Sequence, residues 1–250
     1  MKRKRILSVD VGGSKVKLLL SGETEPRKIG SGAKLTPARM VEKIRRETRD
    51  WDYDAVSIGV PARVGPAGLL AEPGNLGHGW VGFDFAAAFG CPVRIANDAA
   101  MQALGGYDGG RMLFLGFGTG LGSALIAEHV IIALELGELP FRDASFSEAL
   151  GRDAFESEGK KAWRKRVVKT IPALQKAFMA DYVMVGGGNA KHLTKKLPAG
   201  VRVGNNLNAF RGGFRLWGID EVQTLHEEGT VPKTSRRPAR SSANGEWRIL

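Results

Sequence analysis

The chain has 250 residues, of which 43% are hydrophobic and 25% charged, a balance that allows one large α/β domain or two small lobes. A single cysteine, Cys91, excludes an internal disulfide framework, and no stretch approaches the ~20 apolar residues of a membrane span, so we expect a soluble cytoplasmic protein. The net charge of +11 favours a polyanionic partner, but charge alone does not separate nucleic acid, nucleotide and polyphosphate from simple solubility.

Strands alternate with helices in the first half of the sequence. Apolar residues on both sides of Gly12-Gly13 predict a hairpin of strands 5–10 and 15–21. Thr36-Pro37 supplies an N-cap and an N1 proline for a helix that extends to about Arg49. Further strands at 55–60 and 93–96, and a helix over 99–104, place Asp98 at a strand-to-helix junction.

The second half opens in the same way. A strand from Arg111 meets the turn GTGLG and returns as SALIAEHVII, which again predicts a hairpin. A helical segment over 146–180, a strand over 181–185 and a helix over 189–196 follow, so the whole chain predicts an α/β fold with a mixed sheet in each of two lobes. From about residue 220 onward the sequence lacks hydrophobic periodicity, and we expect a disordered tail.

Three glycine turns follow strands, namely DVGGSK at 10–15, GFGTGLG at 116–122 and VGGGNAK at 185–191. Glycine lets several backbone N–H groups converge on phosphate oxygens without a Cβ in the way. Neither GxxxxGK[ST] nor a complete GxGxxG occurs at these turns. Each turn could be only a hairpin turn or a helix entry, but three in this order favour phosphate binding.

The successive motifs resemble those of the ROK (repressor, open reading frame, kinase) sugar kinases. They are DVGGSKVK at 10–17, ANDA at 96–99, LGFGTGLGSA at 115–124, ELG at 135–137 and GGGNA at 186–190. The serine in DVGGS and the absence of a cysteine-rich zinc motif are similar to the polyphosphate glucokinase branch. The resemblance implies a two-lobed, actin-like ATPase (ribonuclease H-like) fold with a cleft between the lobes.

The resemblance also implies domain bounds. Residues 1–105 would form the N-terminal lobe and 106–219 the C-terminal lobe, whose last helix would pack back on the first lobe, with 220–250 as the tail.

The same resemblance assigns residues to roles. Asp98 would be the general base, and Asp10 would organise Mg²⁺ through water. Phosphates would bind at Gly12, Gly13, Ser14, Gly118, Thr119 and Gly120, and the nucleotide at Gly186, Gly187, Gly188 and Asn189. The sugar would contact Asn75, Asn97, Asp98, Glu135 and Glu138.

Several of these residues have simpler interpretations. Asp98 could be only a helix N-cap, Asn75 a turn residue and Glu135 a surface carboxylate. A helix N-terminus should hold Asp98 ionised, because the dipole and the free N–H groups favour negative charge. Lys15 is a candidate phosphate ligand, although alternation along its strand would turn it to solvent.

Glu138 departs from the family pattern, which usually has histidine after Glu-x-Gly. An ionised carboxylate accepts hydrogen bonds but donates none, so the preferred sugar could differ from glucose. The phosphate turns and Asp98 remain, and phosphoryl transfer itself is less affected.

A run of basic residues lies on the helical segment: Lys160, Lys161, Arg164, Lys165, Arg166 and Lys169. Beside the cleft it could hold a polyphosphate chain, whereas elsewhere it is a solvated helical face. No nucleic-acid-binding motif accompanies the basic tail, and nucleic acid is not an expected partner.

The resemblance implies a Mg²⁺-dependent kinase that transfers a terminal phosphoryl group from ATP or polyphosphate to a hexose, at the 6-hydroxyl, with no structural zinc. The alternative is a non-catalytic sugar or nucleotide sensor on the same fold. No helix-turn-helix precedes the first strand, which argues against a repressor. A homodimer is compatible with the sequence.

Overall fold

The computed structural model describes residues 4–193, 197–205, 207–220 and 247–250. Its first half contains strands and helices in alternation: β1 (Ile6–Val11), β2 (Lys15–Leu20), β3 (Arg27–Gly30), α1 (Pro37–Glu47), β4 (Ala55–Val60), β5 (Val64–Gly65), β6 (Gly68–Leu69), α2 (Phe85–Phe89), β7 (Val93–Asn97) and α3 (Asp98–Gly106). Five of the strands form one sheet in the order β3-β2-β1-β4-β7, with β1 and β2 as the expected antiparallel hairpin and β1, β4 and β7 parallel.

The second half repeats this arrangement: β8 (Met112–Phe117), β9 (Leu121–Ala127), β10 (Val130–Leu134), β11 (Pro140–Phe141), β12 (Ala144–Ser145), α4 (Phe146–Leu150), α5 (Arg152–Ala177), β13 (Tyr182–Gly186), β14 (Val201–Val203), α6 (Asn208–Arg215) and β15 (Arg248–Ile249). Its sheet has the order β14-β13-β8-β9-β10-β15. Apart from the added β15, each half has a hairpin of its first two strands beside a parallel pair. The predicted α/β fold with a mixed sheet in each half is confirmed.

Several predicted elements have different limits in the structure. The returning strand of the second hairpin is two strands, β9 and β10, because Glu128 and His129 both adopt positive φ and reverse the chain. The long helical segment is α4 followed by α5, and α5 is interrupted at Gly159, whose φ of 82° and ψ of 158° are not helical. The helix expected over 189–196 is one 3₁₀ turn at Ala190–His192, and residues 194–196 lie outside the described part.

The expected disordered tail falls mainly on residues 221–246, which lie outside the described part of the chain. The expectation is wrong for the last four residues. Arg248 and Ile249 pair with β10, and Trp247 packs edge-on against Tyr107 at 5.7 Å between ring centroids. No helix in the described ranges is both long and apolar enough to span a membrane.

Helices α3 and α6 join the two halves. The buried face of α3, including Met101 and Leu104, packs with Phe114 and Met184 of the second sheet. Phe210 and Phe214 of α6 pack instead against Ile6 and Leu19 of the first sheet. Each helix therefore contributes to the hydrophobic core of the opposite half. The lobe bounds expected from the sequence, 1–105 and 106–219, stay a prediction.

The two helices cross at backbone distance. A Cβ at Gly105 would overlap the carbonyl oxygen of Asn208, and one at Gly212 would overlap that of Met101. Arg215 Nη1 reinforces the crossing, because it donates to the Leu104 and Tyr107 carbonyls at 2.7 and 2.8 Å, at the end of α3.

We expect Gly212→Ala to destabilise the protein by about 3 kcal/mol or more, above the usual range for overpacking, because the added methyl group meets rigid backbone. Gly30→Ala is the matched control, since a Cβ there meets nothing within 4 Å and its φ is ordinary. Denaturant unfolding of both variants measures the difference. Equal stability of the two would contradict the close crossing.

Candidate active site

The carboxyl ends of three parallel strands meet at one edge of the first sheet. Asp10 of β1 pairs in register with Gly59 of β4, which in turn pairs with Ala96 of β7. Asp10 therefore lies two strands away from Asn97 and Asp98, which follow Ala96 directly. Open α/β sheets bind ligands at such edges.

Asn97, rather than Asp98, is the N-cap of α3. Its Oδ1 accepts hydrogen bonds from Ala99 N and Ala100 N at 3.0 and 3.2 Å, and its Nδ2 donates to Ala62 O at 3.2 Å. The alternative interpretation of Asp98 as the cap is wrong. Asp98 is the first residue of the helix, and its Oδ1 accepts from Ala99 N at 2.8 Å.

The environment of Asp98 disfavours its charge. Burial is the largest cause that raises its pKa, to about 6, and the carboxylates of Asp10 and Glu135 add to it, while the bond from Ala99 N opposes the shift. The helix N-terminus does not lower the pKa of Asp98 below its ordinary value, because burial and the neighbouring carboxylates outweigh it. With a pKa of about 6 the group is still mainly ionised at neutral pH.

Asp10 forms an ion pair with Lys17. Lys17 Nζ lies 3.1 Å from Asp10 Oδ2, and the Asp10 side chain is only 12% exposed. The two residues are direct partners across the β1–β2 hairpin, and opposite charges stabilise such positions. Lys15, the lysine considered from the sequence, is exposed.

The first glycine turn contacts the loop that carries Asn75. A Cβ at Gly13 would lie 2.8 Å from Asn75 Nδ2, so a larger residue would displace the amide. The Glu72 carboxylate anchors this loop by accepting from Trp80 N at 3.0 Å and Val81 N at 3.2 Å. Asn75 therefore lies against the turn formed by Gly12, Gly13 and the exposed Ser14.

The second and third glycine turns pack against each other. Gly187 has a φ of 80°, and a Cβ there would lie 2.5 Å from Phe117 O, which accepts a hydrogen bond from Asn189 N at 3.0 Å. By contrast, a Cβ at Gly118 or Gly188 would meet nothing within 4 Å. Those two glycines leave open space beside the backbone.

Thr119 is exposed in the second turn, between Gly118 and Gly120. Its carbonyl oxygen accepts from Arg152 N at 3.2 Å, so the turn is attached to the start of α5. A Cβ at Gly120 would lie 2.9 Å from Ser147 Oγ, which accepts from Leu121 N at 3.2 Å. In the third turn, Asn189 Nδ2 is buried with no hydrogen-bond partner among the described residues, and Gly186 packs on the Phe114 ring.

Glu135 and Glu138 lie together on the second half of the chain. The buried Ser123 hydroxyl fixes this segment by donating to Leu134 O at 2.9 Å and accepting from Leu136 N at 3.1 Å. Partial desolvation is the largest cause that raises the pKa of Glu135, the Glu138 carboxylate adds to it, and Arg63 from the first half opposes it. Charges from both halves therefore meet near Asp98.

Sequence reasoning missed Lys17 and Arg63. The hairpin register was a usable signal for Lys17, because Asp10 and Lys17 are equidistant from the turn. No local signal marked Arg63, which reaches Glu135 only through the tertiary fold. In the basic run, Arg166 is a structural residue that donates to Ala149 O at 2.8 Å and pairs with Glu158.

Comparison with known proteins gives matches at the level of both sequence and fold. No family model matches the chain. A polyphosphate glucokinase from Mycobacterium leprae is 26% identical over 219 residues, which are 78% of this chain and 67% of the relative.

Two solved structures share the fold. An inorganic polyphosphate/ATP-glucomannokinase from Arthrobacter superposes with a TM-score of 0.71 at 20% identity, covering 84% of this chain and 96% of the other. A ROK family glucokinase from Streptomyces griseus, in complex with glucose and AMPPNP, gives 0.65 at 16% identity, covering 83% and 97%.

The fold is therefore the two-lobed, actin-like fold of the sugar kinases. The resemblance to ROK sugar kinases, near the polyphosphate glucokinases, is confirmed. 

The raised pKa of Asp98 predicts a stability effect. Because the folded-state pKa of about 6 exceeds the ordinary value of 3.8, ionised Asp98 destabilises the fold above pH 6, and this cost disappears as the pH falls below 3.8. Asp98→Asn should therefore stabilise the protein by about 1–3 kcal/mol at pH 8 and by about half as much at pH 5.

Urea unfolding at the two pH values measures this difference. Asp52→Asn removes the same charge from an exposed position and serves as the control. If the Asp98→Asn variant is no more stable than the parent at pH 8, ionised Asp98 does not destabilise the fold.

Proposed function

We propose that the protein is a hexose kinase that transfers a terminal phosphoryl group from polyphosphate or ATP to the 6-hydroxyl of a glucose-like sugar. The observation that carries the proposal is the position of Asp98. Its carboxylate lies at the sheet edge that also carries Asp10, which leads into the first glycine turn, and the charges of Asp10 and of Glu135 from the other half both act on it.

Asp98 would accept the proton of the attacking hydroxyl. A base with a pKa near 6 is ionised at neutral pH and still binds a proton more strongly than an ordinary aspartate, which suits general-base catalysis. The Asn97 cap and the bond from Ala99 N hold the carboxylate at the start of α3. Sugar binding would exclude water from the same group.

The glycine turns would hold the donor. Gly12, Gly13 and Ser14 from one half, and Gly118, Thr119 and Gly120 from the other, would surround the phosphates, and Ser14 and Thr119 add two exposed hydroxyls. The N–H groups of Gly12 and Gly118 already donate to Lys15 O and Gly120 O, so the N–H groups of the other four residues would meet the phosphate oxygens. With ATP as donor, Gly186, Gly187, Gly188 and Asn189 would contact the nucleoside. The open space at Gly188 supports this, as does Asn189 Nδ2, which has no hydrogen-bond partner within the described ranges.

We further propose Mg²⁺ dependence and a cytoplasmic location. Among the described residues no group of three or more His, Cys, Asp or Glu side chains could hold a metal. Mg²⁺ usually takes one or two carboxylates together with substrate phosphates, and Asp10 with its neighbour Asp98 fits that mode. The ion would neutralise phosphate charge, and Lys17 would share this role by its pairing with Asp10.

The sugar would contact Asn75, Asn97, Glu135 and Glu138. One hydrogen of Asn97 Nδ2 is used by Ala62 O, and the second remains available for a sugar hydroxyl. Arg63 joins this group, because its charge acts on Glu135. Two neighbouring carboxylates make this part of the site rich in acceptors.

A coupled assay of the purified protein against a hexose panel, with ATP and polyphosphate side by side, tests the proposal. Asp98→Asn should reduce kcat by a factor on the order of 10² or more with sugar binding retained. For the parent, kcat/KM should rise with pH through about 6 and then level off, because the base must be deprotonated.

Asp52→Asn, which removes an exposed carboxylate, should keep full turnover. Turnover by Asp98→Asn close to that of the parent would remove Asp98 from the mechanism. Sugar binding without turnover on any hexose, with either donor, would favour the non-catalytic sensor instead.

Glu138 should limit the use of glucose. Glu138→His supplies a hydrogen-bond donor and removes the charge that raises the pKa of Glu135, so we expect a several-fold gain in kcat/KM for glucose. Glu138→Ala removes the charge without supplying a donor, and separates the two effects. Efficient glucose turnover by the parent, at about 1–100 s⁻¹, would show that Glu138 is compatible with glucose.

A further inference from the structure

A cavity of about 580 Å³ lies between the segment 31–35 and helix α1. Four cationic side chains line it, together with the single carboxylate of Glu42. The cations are Lys34, Arg39, Lys43 and Arg46. A concave surface with this charge favours an anion of extended shape.

The cavity adjoins the first glycine turn. Strand β3 runs parallel to β1, so its carboxyl end lies at the same edge of the sheet as Asp10 and Asp98. Ser31 N donates to Ser14 O at 3.1 Å, which joins the wall of the cavity directly to the turn. At about 4.8 Å between neighbouring strands, the β3 end is roughly 10 Å from β1 and roughly 19 Å from β7.

The cations of the cavity have few partners of their own. In the described part of the chain none of the four lies within ion-pair distance of a carboxylate, and Lys43 Nζ contacts only the Gly30 carbonyl, at 3.2 Å. Arg39 and Lys43 are four residues apart on α1, a like-charge spacing that weakens a helix. Helix stability therefore does not account for Arg39 and Lys43, although it does favour Arg46, which lies in the last turn and four residues after Glu42.

We propose that this cavity binds the distal phosphates of a linear polyphosphate donor, while its terminal phosphates lie in the glycine turns. The proposal rests on the proposed kinase function. The cavity begins beyond Ser14 and leads away from Asp98, so the short triphosphate of ATP does not reach it. Polyphosphate is therefore the donor that would use this site.

The basic helix predicted from the sequence is a weaker candidate for this role. Lys160, Lys161 and Lys165 stand exposed on the outside of α5, and Arg166 is occupied by Glu158 and Ala149 O. The cavity, by contrast, is concave and is joined by backbone to the phosphate turn. The two surfaces carry comparable charge, so they form a matched pair for an experiment.

Two quadruple variants test the proposal. One changes Lys34, Arg39, Lys43 and Arg46 to glutamine, and the other changes Lys160, Lys161, Arg164 and Lys165. Each removes four positive charges. We expect the cavity variant to raise KM for long-chain polyphosphate at least tenfold, with KM for ATP and for tripolyphosphate within twofold of the parent, and the helix variant to change none of these values that far.

Equal effects of the two variants on long-chain polyphosphate would mean that net charge alone attracts the donor, and no effect of the cavity variant would exclude the site. Lys34→Gln/Arg39→Gln, which keeps Lys43 and its bond to Gly30 O, repeats the test if the quadruple variant unfolds.

Direct binding separates this proposal from the kinase function. Fluorescence anisotropy with labelled long-chain polyphosphate measures affinity without turnover. If the parent shows no kinase activity but binds polyphosphate, and the cavity variant alone loses this affinity, the binding site is supported while the kinase function is refuted. Single-stranded DNA of similar length serves as the competing polyanion. Its equal or tighter binding in the cavity would contradict polyphosphate as the occupant.

Discussion

The close crossing of α3 and α6 is the contact on which the arrangement of the site depends. Because Gly105 and Gly212 carry no side chains, each helix approaches the backbone of the other and packs on the opposite sheet. A similar contact occurs at the other end of α3, where a Cβ at Gly122 of β9 would lie 3.1 Å from Ala99 Cβ. The helix that begins with Asp98 is therefore fixed between the two halves.

This position explains why charges from both halves raise the pKa of the Asp98 carboxylate. Asp98 is half-buried at the start of α3, and the charge of Asp10 from the first half and that of Glu135 from the second half both act on it. The same burial that makes the carboxylate a better base makes its ionised form costly to the fold. The hydrogen bond that Ala99 N donates to Asp98 Oδ1 lowers this cost only in part, because the same N–H group also donates to Asn97 Oδ1.

The sequence was sufficient for elements with strong local signals. The Thr36-Pro37 helix start, the two hairpins and the junction at Asp98 follow from capping, turn and periodicity rules, and all occur in the structure. Contacts set by the tertiary fold were not predictable in this way. The effect of the Arg63 charge on Glu135, the direction of the Asp98 pKa shift and the β15 strand all depend on residues distant in sequence.

The glycine turns show why such motifs are ambiguous when read alone. Gly187 is required because its positive φ and its contact with the Phe117 backbone exclude a side chain, whereas Gly118 and Gly188 face open space and have no such internal reason. Packing thus explains some glycines of a motif and leaves others for a ligand. The unexplained ones flank Thr119, an exposed hydroxyl, and Asn189, whose amide nitrogen has no partner in the part of the chain that the structure describes. In this fold the open glycines, rather than the whole motif, mark where a donor phosphate or nucleoside can approach the backbone.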